Sequence, residues 1–478
     1  MLRRYLQIFG REELAQLRDG VFYLLSTIGV RVDNEEILSL LEYMGAKINK
    51  ISKVVRFPEK VLEKVIAKQR ENTLRREKKD WEKNLITPAE MKTSLATYNF
   101  YYYDWPNRER RYPTENEFYD MIHLMDVMGT HVLPPVQNPN FNPRTADLET
   151  LAVVIQHAKN PACPPITYPE QMKYFAEIGQ IYAGPEGKDR FIPAGNFIIS
   201  PLVMDSMFCQ RIMEKCKYRT SIGISTMPVS GTTAPVTPAG TIIQGAAEIL
   251  GGWIVVTAIR EDAELYGLIC SGTSDMRTGK VWWVSPQSLL QDIGVHQLFR
   301  EEFGCRVNTF PGWIDAKIPG WQAIYERIFR AMALGSTSVI GFSNAGLLDG
   351  GECFSPTQAM IDWQLDQGLI KFFQGVEIFD VTTVLNVWKE VGVGGNFLTV
   401  NHTLENFRKV LWAPEFLDHT CWKRNEEADK GNEKNLLERA DQKWRQLLKQ
   451  YQPPSLNQNM VKEIIKVVEK AKKEILNY

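Results

Sequence analysis

Apolar residues recur along the chain in helical and strand-like patterns, and the stretch Met227–Ile259 contains both. A loop rich in Gly, Thr and Pro, Ser230–Pro238, precedes the Ala-rich segment Ala239–Leu250, whose apolar side chains fall at helical spacing. The run Trp253–Ile259 that follows is almost continuously apolar and rich in β-branched residues, which is typical of a parallel strand covered on both faces. The pattern therefore predicts a loop, a helix and a buried strand.

Similar units flank this stretch over most of the chain. Further strands are predicted at Leu95–Trp105, His131–Val136, Phe191–Phe197, Ser221–Met227, Tyr266–Ser271, Arg306–Phe310 and Thr337–Phe342. Helices are predicted at Thr114–Met128, Thr145–Ala158, Pro169–Tyr182, Asp205–Lys217, Pro286–Phe303, Trp321–Leu334 and Ser355–Phe373. This alternation indicates an α/β fold with a parallel sheet, and about eight strands favour a closed (β/α)8 TIM-type barrel. No glycine-rich nucleotide-binding fingerprint follows an early strand, which weakens the alternative of an open doubly wound sheet.

The two ends of the chain are predicted to be helical and to lie outside the barrel. Residues 1–93 form an N-terminal helical extension, because apolar residues from Leu14 to Ile28 lie at helical spacing. The catalytic barrel is assigned to residues 94–415, and residues 416–478 form a C-terminal helical tail. The tail is highly charged, but Ile464–Ile475 contains one apolar stripe. That stripe packs either on the barrel or on a second subunit, and we expect a homo-oligomer.

Composition and charge exclude several classes of protein. Hydrophobic residues make up 44% and charged residues 24% of the 478 residues, as in an ordinary globular protein. The formal net charge of −1 gives no reason to expect a nucleic acid or an anionic membrane as partner. The longest apolar run, Ile249–Ile259, is too short to cross a bilayer. No export signal is recognised and the 7 cysteines are scattered without CxxC, so we expect a reduced, cytoplasmic protein.

Loops that follow strands form the active-site face of a (β/α)8 barrel, and here they carry many aromatic and a few charged side chains. The candidate substrate-binding residues are Tyr102, Arg277, Trp282, Trp313, Lys317, Asn344, Phe354 and His402. Aromatic ring faces attract an organic cation, with a desolvated contact contributing ~1–2 kcal/mol. The alternative is that each ring fills the barrel or packs on a helix, which is the commoner role of any single ring.

His402 and Asp275 are the candidate catalytic residues. His402 follows a glycine-rich loop, so it either faces the pocket or belongs to the start of a helix. Asp275 with Arg277, and Asp315 with Lys317, form two closely spaced charged pairs. These pairs either position a substrate carboxylate or a partner, or they are salt bridges within a loop, and the sequence does not separate the two.

The sequence gives no indication of a metal site or of a nucleophile motif. None of the 6 histidines has the HxH, HxxxH or HExxH spacing, and no Cys/His group has zinc-like spacing, so no bound metal is predicted. His296 lies within a predicted helix and is expected to be structural. A GxSxG nucleophile elbow is absent.

Taken together, the motifs resemble the trimethylamine methyltransferase superfamily, specifically its branch without pyrrolysine. The matching segments lie in the family's order along nearly the whole chain. They are IGVRVDNEEILSLLEYMGAKIN, SGTTAPVTPAGTIIQGAAEIL, SDMRTG, WIDAKIPGWQAIYE, GFSNAGLLDGGECFSPTQAMID and GVGGNFLTVNHTLENFR. The resemblance implies a barrel enzyme that moves a methyl group from a methylated amine to the Co(I) of a separate, cognate corrinoid protein. The DxHxxG pattern of corrinoid-binding modules is absent, so the corrinoid is expected on the partner chain.

One departure from the family pattern bears on the substrate. The pyrrolysine of the trimethylamine enzymes would fall near Ser343–Leu347, where this chain has only standard residues. The resemblance therefore implies a small quaternary amine, such as glycine betaine, as the methyl donor, attacked in line by Co(I). The substrate's other end would be positioned by Arg277, Lys317 or His402. Two alternatives remain open: a non-catalytic quaternary-amine binding or regulatory protein, and a different TIM-barrel enzyme, such as a lyase acting on a small carboxylate.

Overall fold

A computed structural model of the chain describes residues 6–83, 93–310, 312–337, 344–376, 381–417 and 432–476. The α-helices are α1 (Arg11–Tyr23), α2 (Glu35–Tyr43), α3 (Glu59–Lys83), α4 (Glu115–Val127), α5 (Ala146–His157), α6 (Met172–Ala183), α7 (Ser206–Lys215), α8 (Pro238–Ile259), α9 (Pro286–Leu298), α10 (Trp321–Gly335), α11 (Pro356–Gln374), α12 (Val381–Val391), α13 (Asn401–Val410), α14 (Asn432–Leu448) and α15 (Gln458–Leu476). The strands are β1 (Val30–Val32), β2 (Lys47–Asn49), β3 (Val54–Arg56), β4 (Tyr101–Asp104), β5 (Glu109–Arg111), β6 (Gly195–Phe197), β7 (Val203–Met204), β8 (Ile222–Thr226), β9 (Val229–Ser230), β10 (Leu265–Ile269), β11 (Gly272–Ser274), β12 (Val281–Trp282), β13 (Val307–Thr309), β14 (Leu347–Leu348) and β15 (Cys353–Phe354). The fold is α/β, as the alternating pattern predicts.

A four-stranded parallel sheet in the order β13-β10-β8-β6 forms the centre of the fold. Its register places Phe197 beside Ser225, Ser225 beside Leu268, and Leu268 beside Asn308. The opposite face of β8, β10 and β13 is buried under the helices, and its side chains are aliphatic or β-branched except at Gly267, where Ile249 of α8 approaches closely. The face that carries Phe197 is more open, since that ring is 45% exposed.

Short parallel bridges also occur outside this sheet. They join Leu95 to Ala345, Asn99 to Val136 and Val132 to Pro161. Within the described ranges the strands do not form a closed ring, and the predicted strand Thr337–Phe342 lies almost entirely outside them. The parallel α/β sheet is thus confirmed, whereas the closed (β/α)8 barrel remains a prediction.

The predicted strand Trp253–Ile259 is wrong. The segment continues the preceding helix, so that α8 runs unbroken from Pro238 to Ile259. An almost uniformly apolar run has no period, and a helix buried on all sides has the same appearance as a buried strand. Two small residues permit this burial: a Cβ added at Gly252 would lie 2.6 Å from Ile224, and one at Gly251 would lie 3.4 Å from Val30.

The helix α8 is longer than the apolar run Ile249–Ile259, which by itself is too short to cross a bilayer. Among the described helices it is the one long and apolar enough to cross a bilayer, and 83% of its most apolar window is buried inside the protein. Such burial is that of a core helix packed between other elements.

The strand predicted at Phe191–Phe197 is shorter in the structure, where β6 covers only Gly195–Phe197.

Both ends of the chain pack on the central part. The strand β1 pairs in parallel with β7, and α1 and α8 share one apolar core with it. In the tail, Ile464, Val467 and Ala471 of α15 share a core with α5 and α6. The apolar stripe of the tail is therefore covered by this same chain.

Candidate active site

Aromatic side chains meet at the carboxyl end of the central sheet. Met227, Cys270 and Phe310 directly follow the ends of β8, β10 and β13, and they belong to one apolar cluster. We call five of its aromatic members the aromatic layer: Tyr101, Tyr103, Trp283, Phe310 and Trp313. Trp283 and Trp313 lie edge to face with centroids 4.8 Å apart. The carboxyl edge of parallel strands is where α/β enzymes bind substrates, so the aromatic layer is the candidate site.

Two carboxylates fix the backbone around the tryptophan pair. Asp315 accepts hydrogen bonds from the backbone N–H groups of Trp283 and Val284, each at 2.9 Å. Glu326 of α10 in turn accepts from the backbone N–H groups of Asp315, at 2.7 Å, and Ala316, at 2.8 Å. Burial raises the pKa of Asp315 to about 6. The loop that carries Trp313 is thereby joined both to α10 and to the loop that carries Trp283.

Arg330 of α10 is completely buried and joins three of the strand-following loops. Its guanidinium donates to the carbonyl oxygens of Phe310, at 2.6 Å, and Trp283, at 2.7 Å. It also lies 3.0 Å from the buried carboxylate of Asp292, whose other oxygen accepts from the backbone N–H of Ser271 at 2.7 Å. Burial raises the pKa of Asp292 to about 6, and the positive charge of Arg330 opposes that rise.

Charged side chains lie at the rim of the aromatic layer. Lys317 forms an ion pair with Asp349, and Arg110 lies 3.3 Å from the same carboxylate. The Arg110 guanidinium is also 3.5 Å from the centre of the Tyr101 ring, a cation–π contact. The backbone N–H of Asp349 donates to the carbonyl of Ala316, at 2.9 Å, so this ionic group is held beside the Trp313 loop.

Of the predicted substrate-binding residues, Trp313 lies in the aromatic layer and Lys317 at its rim. Trp282, which directly precedes Trp283, does not belong to this cluster, and it is 47% exposed. Asn344 adopts a left-handed backbone conformation with φ of 66°, and the following turn is fixed by Asp362, which accepts from the Gly346 N–H at 2.8 Å.

Tyr102 and Phe354 come together, but in a core on the other side of their strands. They are direct neighbours in the register of β4 and β15, and they are 4% and 0% exposed. Burial raises the pKa of the Tyr102 hydroxyl well above its ordinary value. Because side chains alternate along a strand, it is Tyr103 that lies in the aromatic layer.

Asp275 and Arg277 pair with each other in an exposed turn. The Arg277 guanidinium lies 3.1 Å from the carboxylate, and its side chain is 86% exposed. Hydrogen bonds from Arg277 lower the pKa of Asp275 to about 2. The pair therefore has the geometry of a salt bridge within a loop, the second of the two alternatives for this pair.

His402 lies apart from the aromatic layer. It is exposed in the first turn of α13, a helix without a buried residue. His296 is buried, its Nδ1 lies 3.0 Å from the Val307 carbonyl, and burial lowers its pKa to about 4, in keeping with a structural role. In the described part of the chain no three His, Cys, Asp or Glu side chains are grouped as metal ligands.

The sequence did not indicate the three buried polar residues that support the aromatic layer: Asp292, Glu326 and Arg330. Trp283 could have been chosen over Trp282 from its place beside the apolar Val284. Nothing in the spacing of the three polar residues indicates that they are buried, since such side chains are usually exposed.

Comparisons with known proteins agree with one another over nearly the full chain. The sequence profile of the family described as trimethylamine methyltransferase (MTTB) matches residues 2–476. Trimethylamine methyltransferase MttB of Desulfitobacterium hafniense is 24% identical over 484 residues, which cover 98% of this chain and 94% of the relative. MttB of Methanosarcina barkeri is 24% identical over 486 residues, covering 98% and 96%.

Two further similarities are more limited. A glycine betaine methyltransferase of Desulfitobacterium hafniense is 27% identical over 263 residues, covering 54% of this chain and 53% of the relative. Among solved structures, the crystal structure of the hydroxylamine complex of MtmB aligns with a TM-score of 0.39 and 10% sequence identity, covering 98% of this chain and 92% of that one.

Proposed function

The chain belongs to the trimethylamine methyltransferase family, and on this basis we propose that it transfers a methyl group from a quaternary amine, such as glycine betaine, to the Co(I) of a separate corrinoid protein. The observation that carries the donor assignment is the aromatic layer, with Trp283 and Trp313 edge to face at its centre. A quaternary nitrogen has no N–H to donate, so the faces and edges of aromatic rings are suitable partners for it. A glycine betaine methyltransferase among the relatives supports the same class of donor.

The residues near Asn344 support this donor over trimethylamine. The segment Ser343–Leu347 contains standard residues only, at the place where the sequence resemblance puts the pyrrolysine of the trimethylamine enzymes. A quaternary amine needs no covalent adduct, because its nitrogen already leaves as a neutral tertiary amine. We also propose the closed (β/α)8 barrel, which the isolated bridges Leu95–Ala345, Asn99–Val136 and Val132–Pro161 support because they are parallel, as the strands of such a barrel are.

The proposed step is a single in-line displacement. The Co(I) electron pair attacks the N-methyl carbon, a Co–C bond forms, and the C–N bond breaks with its electron pair going to nitrogen. Glycine betaine would give dimethylglycine and methyl-Co(III), with no proton transferred. What this chain contributes is therefore the orientation of the N–CH₃ bond and the exclusion of water.

A donor carboxylate would be bound at the rim. Of the three cationic candidates from the sequence, we propose Lys317, because it lies beside the Trp313 loop, together with Arg110 from β5. Both cations already share the carboxylate of Asp349, so the rim is arranged to accept an anionic group. Arg277, which is paired in its own exposed turn, and His402, on the exposed α13, are less suited to this role.

The test is an anaerobic methyl-transfer assay with chemically reduced cob(I)alamin, in which methyl-Co(III) formation is followed in the visible spectrum. We expect turnover with glycine betaine, slower turnover with other quaternary amines such as choline, and none with trimethylamine. Trp313→Leu should raise KM for the donor about tenfold, the equivalent of one desolvated cation–π contact. Tyr43→Ala, at a position on α2 that is 92% exposed, is the control and should leave KM unchanged.

Binding of the donor carboxylate by Lys317 is tested separately. Lys317→Met should reduce the preference for glycine betaine over choline, which has the same cationic head and no carboxylate, while leaving turnover of choline unchanged. Loss of activity with both donors to the same extent would contradict a carboxylate-binding role. Amine binding without methyl transfer to any corrinoid acceptor would instead indicate the non-catalytic binding protein.

A further inference from the structure

A cleft of about 290 Å³ opens beside the aromatic layer, and we call it the side cleft. Its walls come from three parts of the chain: the hairpin of β4 and β5, the segment that begins α10, and α14. The aromatic residues Tyr103, Trp105 and Trp321 line it, together with Arg108 and Leu437. Because Tyr103 also belongs to the aromatic layer, the side cleft adjoins the candidate site.

The side cleft contains a positive charge that nothing around it balances. Among the described residues that line it, Arg108 alone is charged. The Arg108 guanidinium lies 5.5 Å from the centre of the Trp105 ring, and its charge opposes the rise in the pKa of the Tyr103 hydroxyl that burial causes. No described residue forms an ion pair with Arg108, whereas the neighbouring Arg110 and Arg111 are each paired with a carboxylate. The side cleft is therefore suited to an anionic group.

Contacts within the fold hold both walls of the side cleft in place. Arg111 of β5 pairs with Asp104 of β4 at 3.0 Å and with Glu117 of α4 at 2.6 Å, so the hairpin is joined to a helix. In the wall formed by the start of α10, the buried Gln358 accepts from the Gly320 N–H at 3.1 Å. A ligand can then bind without a free-energy cost for ordering the site.

Arg108 lies in the turn between the two strands of the hairpin. Its backbone is in the left-handed region, with φ of 52°, where residues other than Gly, Asn and Asp are uncommon. Its N–H donates to the Trp105 carbonyl at 3.1 Å, and Asn107 donates to Asp104 at 3.0 Å within the same turn. A position of this kind favours Gly or Asn, so the turn alone does not explain the arginine.

We propose that the side cleft binds the methyl donor, as a small zwitterion with a quaternary ammonium and a carboxylate, before the donor reaches the aromatic layer; this step rests on the proposed function. The carboxylate binds the Arg108 guanidinium through charge-assisted hydrogen bonds. The quaternary ammonium, which has no N–H, contacts the rings of Trp105 and Trp321. A simple cation is repelled by Arg108, and a simple anion leaves the rings without a charged partner, so a ligand with both charges fits best.

The size and place of the side cleft agree with such a ligand. Pockets for drug-sized molecules measure roughly 300–1,000 Å³, so a cleft of about 290 Å³ suits a smaller molecule. Trp321 is 71% exposed and Tyr103 is 5% exposed, so the cleft leads from the surface to the aromatic layer. Ile318 and Pro319, which line it, directly follow Lys317 of the rim. The donor therefore meets the side cleft on its way to the rim.

The test is isothermal titration calorimetry of the full-length chain with glycine betaine, in the absence of any corrinoid. The comparison ligands are choline, which has no carboxylate, and 3,3-dimethylbutyrate, in which an uncharged carbon replaces the quaternary nitrogen. We expect glycine betaine to bind at least about tenfold more tightly than either, the equivalent of one cation–π contact or one charged hydrogen bond. Equal affinity for choline or for 3,3-dimethylbutyrate would overturn the proposal.

Two variants locate this binding in the side cleft. Arg108→Asn removes the charge and keeps a residue that tolerates the left-handed turn, and Trp321→Ala removes an exposed ring. Each should weaken the binding of one equivalent of glycine betaine about tenfold. The matched controls are Lys53→Asn, which removes a cation from another left-handed position with φ of 54°, and Trp388→Ala, at a ring of α12 that is 57% exposed. Both controls should bind as the wild type does.

Failure of this proposal can be told apart from failure of the proposed function. Trp313→Leu reports on the aromatic layer. If it impairs methyl transfer while Arg108→Asn and Trp321→Ala bind glycine betaine normally, the side cleft alone is refuted. If both of these variants lose binding but the wild type transfers no methyl group to any acceptor, the proposed reaction is refuted and the zwitterion site remains.

Discussion

The support of the aromatic layer can be tested by removing one cation. Arg330 is completely buried, and its guanidinium reaches the Phe310 and Trp283 carbonyls and the Asp292 carboxylate at 2.6, 2.7 and 3.0 Å. The substitution Arg330→Met keeps most of the side-chain volume and removes every donor. It leaves a buried carboxylate without its cation and two carbonyl oxygens without their charged donor.

The expected loss of stability follows from the Asp292 carboxylate, which is left buried without its cation. Removing one partner of a buried pair costs about 3–5 kcal/mol, so we expect Arg330→Met to lower the free energy of unfolding by about 4 kcal/mol at pH 8. Burial already raises the pKa of Asp292 to about 6, and loss of the cation raises it further. A pKa raised in the folded state means that protonation favours folding, so the stability deficit shrinks as the pH falls. We expect it to be smaller at pH 5 than at pH 8 by about 1 kcal/mol, the equivalent of one pKa unit.

A double-mutant cycle, measured as free energies of unfolding in urea, separates the contribution of the ion pair from other effects of the substitutions. Asp292→Asn keeps the oxygen that accepts from the Ser271 N–H and removes the charge. Combined with Arg330→Met, it should recover about 2 kcal/mol relative to the sum of the single changes. Near-ultraviolet circular dichroism should show a changed signal from the Trp283–Trp313 pair in Arg330→Met. The control Arg327→Met removes a buried cation paired with Asp366 at 2.7 Å, away from the aromatic layer, and should spare that signal. Additive effects within about 0.5 kcal/mol would refute the coupling.

Two further predictions concern the rest of the fold. In α8, Gly252→Ala should destabilise by about 1–3 kcal/mol, because the added methyl would lie 2.6 Å from Ile224. The neighbouring Gly251→Ala, where the closest contact is an ordinary 3.4 Å, should stabilise by about 0.5–1 kcal/mol through helix propensity, and the opposite order would argue against a helix here. Burial lowers the pKa of Lys215 to about 7, and its ammonium donates to the Gly195 carbonyl at 2.8 Å. Because the unfolded chain keeps that proton up to about pH 10.4, this group makes the wild type more stable as the pH rises from 7 to 9, by about 2 kcal/mol. Lys215→Met should lack that increase in urea unfolding at the two pH values.

Secondary structure could be predicted from the sequence where a hydrophobic pattern fits only one kind of element. The runs around Ile222–Thr226, Leu265–Ile269 and Val307–Thr309 are short and bounded by polar residues or loops, and all three are parallel strands. The run Trp253–Ile259 has the composition of a strand but continues a helix that is buried on nearly every side. Periodicity cannot decide such a case, since a segment with no polar face has no period to read.

The site was harder to predict because α10 is oriented against its sequence pattern. Glu326, Arg327 and Arg330 of this helix are buried, whereas Tyr325 is 58% and Trp321 is 71% exposed. The usual assignment of an apolar face to the core would turn the helix the other way. The inversion is possible because each buried charge has a partner elsewhere in the fold, and such partners are distant in sequence. Pairings of this kind depend on tertiary structure and could not be read from spacing.

The same buried charges bear on how a cationic donor would be held in the proposed reaction. The positive charge on nitrogen disappears as the methyl group leaves, so a strong attraction for the cation would stabilise the substrate more than the transition state. The carboxylates near the aromatic layer do not provide one. Asp315 and Glu326 accept from backbone N–H groups, Asp292 is paired with Arg330, and Asp349 at the rim is paired with Lys317. With these acids committed to the backbone and to an internal cation, the donor would meet neutral rings held in fixed positions. In the proposed reaction the site would then favour orientation of the N–CH₃ bond over tight binding of its charge, which is the contribution that an in-line displacement requires.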